Sequence, residues 1–196
     1  MNMNFFRRLS LIHISIAVIL CIIALFAFFG GNRQQRVEIS PKKIRLGATI
    51  FPLYDITRNI IGERGEVILI IPPGASEHTF ELTPRDVKKL AGTSLLFKIG
   101  VFDDWVDTVL SSIPSARVVA VTKNIMLRSG NEDENESYDP HYWLQLKNGI
   151  IIAETITEEL TKIDPEGAVY YQERLARYRE GLVAAEKEIR NMLRRI

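Results

Sequence analysis

The run Glu66–Ile71 (EVILII) constrains the fold more than any other stretch of the sequence. Its five successive apolar residues leave no side for solvent. A strand there must be covered on both faces, as in a parallel sheet flanked by helices. The neighbouring segments meet that demand. Lys43–Ile50 (KIRLGATI), Ser94–Ile99 and Arg117–Val121 read as three further strands, and Leu53–Gly62 reads as a helix between the first two. Thr83-Pro84-Arg85-Asp86 is a helix start: the threonine caps, the proline suits the first helical position, and Asp86 completes a capping box. Gly92 is the matching stop. Asp103 is expected to cap a third helix, which Ile113-Pro114 ends. Strands alternating with helices predict an α/β lobe with a parallel sheet and right-handed crossovers.

Beyond the fourth strand, Asn131–Glu136 (NEDENE) is an acidic loop. Asp139-Pro140 repeats the cap-plus-proline start and predicts a helix from about His141 to Lys162. Asp164-Pro165 opens a last helix with an apolar stripe at Tyr171, Leu175, Tyr178, Leu182, Ala185, Ile189, Met192 and Ile196. About 30 residues of helix extend about 45 Å, more than one lobe covers. The alternating spacing of four and three also suits pairing with another helix, as in a coiled coil.

At the other end, Leu9–Phe29 is 21 residues long and holds no Asp, Glu, Lys or Arg. That length crosses a bilayer as a helix and exceeds the apolar core of a cleaved signal peptide. Arg7 and Arg8 place the N-terminus inside. The expected organisation is a signal anchor over residues 1–30, a polar linker over 31–42, an α/β lobe over 43–163 and a long helix over 164–196. The chain would then be a single-pass protein of the cell membrane with its bulk outside the cytoplasm. Residues 1–36 carry four arginines and no acid, leaving 21 basic and 24 acidic residues beyond them. An outer part with net charge −3 is no generic nucleic-acid binder. The single cysteine, Cys21, falls in the span, and one cysteine can form neither an internal disulfide nor a CxxC zinc knuckle.

Enzymatic chemistry has little support. The sequence has no G-x-S-x-G elbow, phosphate loop or dinucleotide fingerprint. The outer histidines are better placed. Glu77 and His78 follow the second strand, and His141 follows the fourth, so both sites fall at carboxyl ends of parallel strands, where open α/β sheets bind ligands. His141 is expected in the first turn of a helix, whose positive end favours the neutral ring that a metal requires. Glu77 would supply an oxygen or an outer hydrogen bond. On spacing alone, two unrelated loop histidines are the competing reading, since a closed zinc site wants four ligands. Trp105 and Trp143 read as packing residues.

The segment Pro72-Pro73-Gly74-Ala75-Ser76-Glu77-His78-Thr79-Phe80-Glu81-Leu82-Thr83-Pro84-Arg85-Asp86-Val87 resembles a signature of the zinc/manganese solute-binding proteins of ABC importers. These include the ZnuA-like proteins and the metal-binding adhesin lipoproteins. Tyr138-Asp139-Pro140-His141-Tyr142-Trp143-Leu144 resembles their second signature, and Asp164-Pro165 with the long helix resembles their linker. The resemblance implies two α/β lobes joined by one backbone helix, with the metal between them. It further implies that His78 and His141 are ligands and that Glu77 approaches the metal. The chain departs from that pattern in three ways. Residues matching the second lobe are missing, Tyr138 stands where many members have His, and the N-terminal segment reads as a transmembrane helix rather than a lipobox.

The expected function is metal binding and delivery to an ABC permease. Zinc is favoured because imidazole suits it, and manganese, which prefers oxygen, is the alternative. The rival expectation is a membrane-anchored lobe that acts as an interaction module through its exposed stripe, and a partner supplying the second lobe through that C-terminal helix reconciles the two. A metal-dependent hydrolase has the least support, because no nucleophile or base accompanies the histidines.

Overall fold

A computed structural model describes residues 43–195, except 78, 102, 110, 111 and 131–137. The expected anchor and linker, over residues 1–42, lie outside the described residues. Among the described residues no helix is long and apolar enough to cross a membrane.

Four strands, β1 (Ile44–Ala48), β2 (Gly65–Leu69), β3 (Leu95–Lys98) and β4 (Arg117–Ala120), form one sheet in the order β2-β1-β3-β4. All three pairings are parallel, with Leu46 opposite Val67 on one side and Leu95 on the other. Helices α1 (Phe51–Ile61), α2 (Pro84–Lys89) and α3 (Trp105–Val109) connect successive strands. Then come α4 (Leu146–Ile163) and the long α5 (Ala168–Leu193).

The alternation of side chains along β1 and β3 builds two cores. Leu46, Ala48, Leu95 and Phe97 point to one face, where α1, α4 and the base of α5 cover them. Leu96 points to the other face, with Leu90, Val106 and Ile113. Gly47 faces that second core at close quarters: a Cβ there would lie 3.2 Å from Leu96 and 3.3 Å from Leu90, so those side chains would have to shift. The run EVILII is covered on both sides as expected. Val67 packs into the first core and Ile68 into the second, although both are only half-buried because β2 is an edge strand.

Two helix starts differ from the sequence expectation. Thr83 and Asp86 do form the capping box of α2, with both reciprocal bonds made. Asp103, by contrast, does not cap α3 with its side chain. Its fully buried carboxylate turns back to the end of β3, accepting the N–H groups of Ile99 (2.6 Å) and Gly100 (2.7 Å) and the Thr49 hydroxyl (2.9 Å). Gly100, at φ 81°, makes the turn that brings those two N–H groups together.

The helix expected from His141 to Lys162 is broken. Pro140–Leu144 is a 3₁₀ turn, Gln145 is extended (φ −83°, ψ 123°), and α4 begins only at Leu146. The Asp139 carboxylate takes the His141 N–H only two residues on, which favours a tight local turn over an α-helical first turn.

The last helix starts after a 3₁₀ turn at Pro165–Gly167 and has 26 residues, about 39 Å of helix. Its base is clamped. Arg64 donates to Asp164 from Nε (2.7 Å) and Nη2 (2.9 Å), and the Tyr171 hydroxyl donates to the same carboxylate. The hydrogen bond from Arg64 holds the Asp164 carboxyl below its usual range. Burial, then the bond to Asp164, pushes the Tyr171 phenol up to about 12. Along the stripe, Tyr171 and Leu175 are buried and Tyr178, Leu182 and Ala185 are half-buried. Ile189 and Met192 are 43% and 52% exposed.

Candidate metal centre

The order in which strands are added switches sides between β1 and β3, the point where open α/β sheets take ligands at their carboxyl edge. Glu77 lies in the segment after β2, and His141 follows β4. Both candidate segments therefore leave outer strands on the edge expected from the sequence. Glu77 is half-buried. The tilted contact of the Phe80 ring with Trp105, with centroids 5.7 Å apart, ties its segment to α3. His78 lies outside the described residues. Among the described residues no group of three or more His, Cys, Asp or Glu comes together as a metal site.

What the structure does bring together is Asp139 and His141. The Asp139 carboxylate accepts the His141 backbone N–H at 2.8 Å and lies 3.0 Å from the ring Nδ1. Those two bonds, the backbone one first, hold the Asp139 carboxyl below its ordinary range, so it stays an acceptor. With the proton on Nδ1 and donated to Asp139, Nε2 is the nitrogen that can ligate a cation. A carboxylate behind a ligating imidazole fixes both tautomer and ring direction. His141 does not stand at an α-helix start as expected but in a 3₁₀ turn at ψ 20°, so the neighbouring Asp139 carboxylate and not a helix dipole acts on its ring.

The turn itself is held from below. Tyr142 is buried, and its hydroxyl donates to the Ile99 carbonyl at 2.8 Å. Burial, then the nearby Asp103 charge, pushes that phenol far above its ordinary range, so it remains a donor. The buried Asn148 amide donates to the Tyr142 carbonyl at 2.9 Å. The Trp143 ring lies 5.2 Å from that of His141. Both tryptophans pack against the larger core, as expected of them. Neither Tyr142 nor Asn148 carries a local signal of this role. Nothing in the spacing shows that residue 142 points down onto β3 while residue 141 points outward.

The chain is 28% identical to the metal ABC transporter substrate-binding lipoprotein SsaB of Streptococcus sanguinis, over 90% of this chain and 60% of that protein. It is 26% identical to the zinc-binding protein AdcA of Streptococcus pyogenes serotype M1, over 87% of this chain and 38% of AdcA. The structure of the substrate-binding protein FpvC of Pseudomonas aeruginosa in complex with Mn2+ superposes with a TM-score of 0.68. That match has 28% identity and covers 75% of this chain and 55% of FpvC. The chain thus spans about 60% of the length of relatives such as SsaB. Residues 47–196 match the profile of the ZnuA family, described as zinc-uptake complex component A, periplasmic, and the chain belongs to that family.

Proposed function

We propose that this chain is a metal-binding solute-binding component of an ABC importer, which captures a divalent cation outside the cytoplasm and passes it to the permease. The cation is the cargo. The observation that carries the reading is the Asp139–His141 pair, a histidine backed by a carboxylate at the ligand-binding edge of a parallel sheet. His78 and His141 are the proposed ligands, with Glu77 as an oxygen donor. Zinc is the preferred cargo because imidazole nitrogen suits it better than manganese. The named relatives include a zinc-binding protein and a protein bound to Mn2+. The proposed organisation keeps the expected boundaries, with residues 1–30 as a membrane anchor, supported by the uncharged run Leu9–Phe29.

Isothermal titration of the detergent-solubilised chain with Zn2+ and Mn2+ tests this, beside a His78→Ala, His141→Ala double variant. Saturable binding by the wild type and its loss in the variant is the expected result. Equal affinity in both overturns it. The exposed residues Ile189, Met192 and Leu193 near the end of α5 favour a second reading, a docking stripe for another polypeptide. A solution mass that stays monomeric across concentration, with and without the candidate partner, counts against that second reading.

A further inference from the structure

We propose that Tyr142 is a positioning residue for metal capture, holding the His141 turn against the end of β3 through its hydroxyl and its backbone carbonyl. The inference rests on the reading of His141 as a ligand. A five-residue 3₁₀ turn makes few and poorly aligned bonds of its own, so its placement depends on what it is tied to. Tyr142 supplies two such ties. Its hydroxyl reaches the Ile99 carbonyl at 2.8 Å, and its carbonyl receives the Asn148 amide at 2.9 Å. The residue next to His141 is therefore held by side chain and backbone together.

The anchor beneath it is rigid as well. Ile99 and the following Gly100 give their N–H groups to the buried Asp103 carboxylate, which also takes the Thr49 hydroxyl at the end of β1. A continuous set of bonds thus runs from β1, through Asp103 and the end of β3, to the residue beside the ligand. Tyr142 faces the core, so it does not touch the cargo. It acts by reducing the conformations that the His141 ring must give up on binding.

The test uses the full chain in detergent, Zn2+ as probe and a chromophoric chelator as competitor. Both affinity and the rate of zinc release into excess chelator are read. Tyr142→Phe keeps the ring and removes the tie. It should bind roughly tenfold more weakly and release zinc faster, the order seen when support behind a ligand is removed. Tyr171→Phe deletes a hydroxyl bond at the far clamp of α5 and should keep wild-type affinity. Two results overturn the proposal: wild-type affinity and release in Tyr142→Phe, or equal weakening in both variants, which would mark general destabilisation. His141→Ala is the separate control. Undiminished binding there overturns the reading of His141 as a ligand. Should Tyr142→Phe fail to fold in a thermal melt, Asn148→Ser removes the second tie and is judged by the same outcomes.

Discussion

Asp139 holds His141 twice, through the backbone N–H at 2.8 Å and the ring Nδ1 at 3.0 Å. Fixing the ring and fixing the turn are thus done by one carboxylate. Replacing it by alanine should leave the sheet intact, because Asp139 lies outside both cores. Zinc affinity should fall about 10- to 100-fold, the range for loss of a group behind a metal-ligating histidine. Competition titration gives the affinity, and far-ultraviolet circular dichroism checks the fold. Asp139→Asn should fall between alanine and wild type, since it keeps an acceptor but loses the charge.

The clamp at the base of α5 predicts an acid-sensitive stability term. Arg64 depresses the Asp164 carboxyl. The stabilisation from their pairing is therefore complete above the ordinary carboxyl value of about 3.9 and is lost as pH falls through the lower folded-state value. Asp164→Asn should cost about 1.5–3 kcal/mol near neutral pH, the range for a hydrogen bond to a charged group. The difference in melting temperature between variant and wild type should hold steady above about pH 5 and close below about pH 4. A difference that does not depend on pH would assign the cost to shape and not to charge.

Gly100 turns at φ 81°, and a Cβ there would lie 2.9 Å from that of Ala120. Gly100→Ala combines a left-handed backbone with a clash against β4. A loss of about 1–3 kcal/mol is expected, read from urea unfolding midpoints. Zinc affinity should weaken as well, because the displaced N–H of Gly100 is one of those that fix Asp103 under the Ile99 tie.

Truncations along α5 should separate its two halves. Leu175 is buried, so Leu175→Ala should cost about 2–5 kcal/mol. Met192 is half exposed, and Met192→Ala should change stability by less than about 0.5 kcal/mol. Equal costs at both positions would mean that the end of the helix is covered in solution.

Much of the lobe was legible in the sequence. The apolar strands and the Thr83–Asp86 capping box are local signals that stand where the spacing put them, while α2 ends at Lys89, ahead of the left-handed turn at Gly92. Asp103 and His141 show where local reading ends. Asp103 has the residue type and position of a helix cap. Its carboxylate instead serves two backbone N–H groups that the β3 turn presents, and only the fold brings those together. His141 follows a cap and a proline, yet the pull of Tyr142 down to Ile99 and the extended Gln145 delay the α-helix to Leu146. Asp139-Pro140-His141 does signal the cap that Asp139 forms, but not that the same carboxylate also meets the His141 ring. The strand order, with both candidate segments leaving outer strands, is a long-range property that no spacing along the chain encodes.

The uneven burial of α5 gives its backbone a gradient of protection. Near Tyr171 the amides should exchange with solvent deuterium only on unfolding of the whole lobe, since burial and the Arg64 clamp hold that turn shut. Past Ile189, side chains that contact mainly water leave little to oppose fraying, so exchange there should be orders of magnitude faster. One continuous helix would then read out, residue by residue, how far along its axis any second body rests, because a bound body would slow exchange only beneath its own footprint.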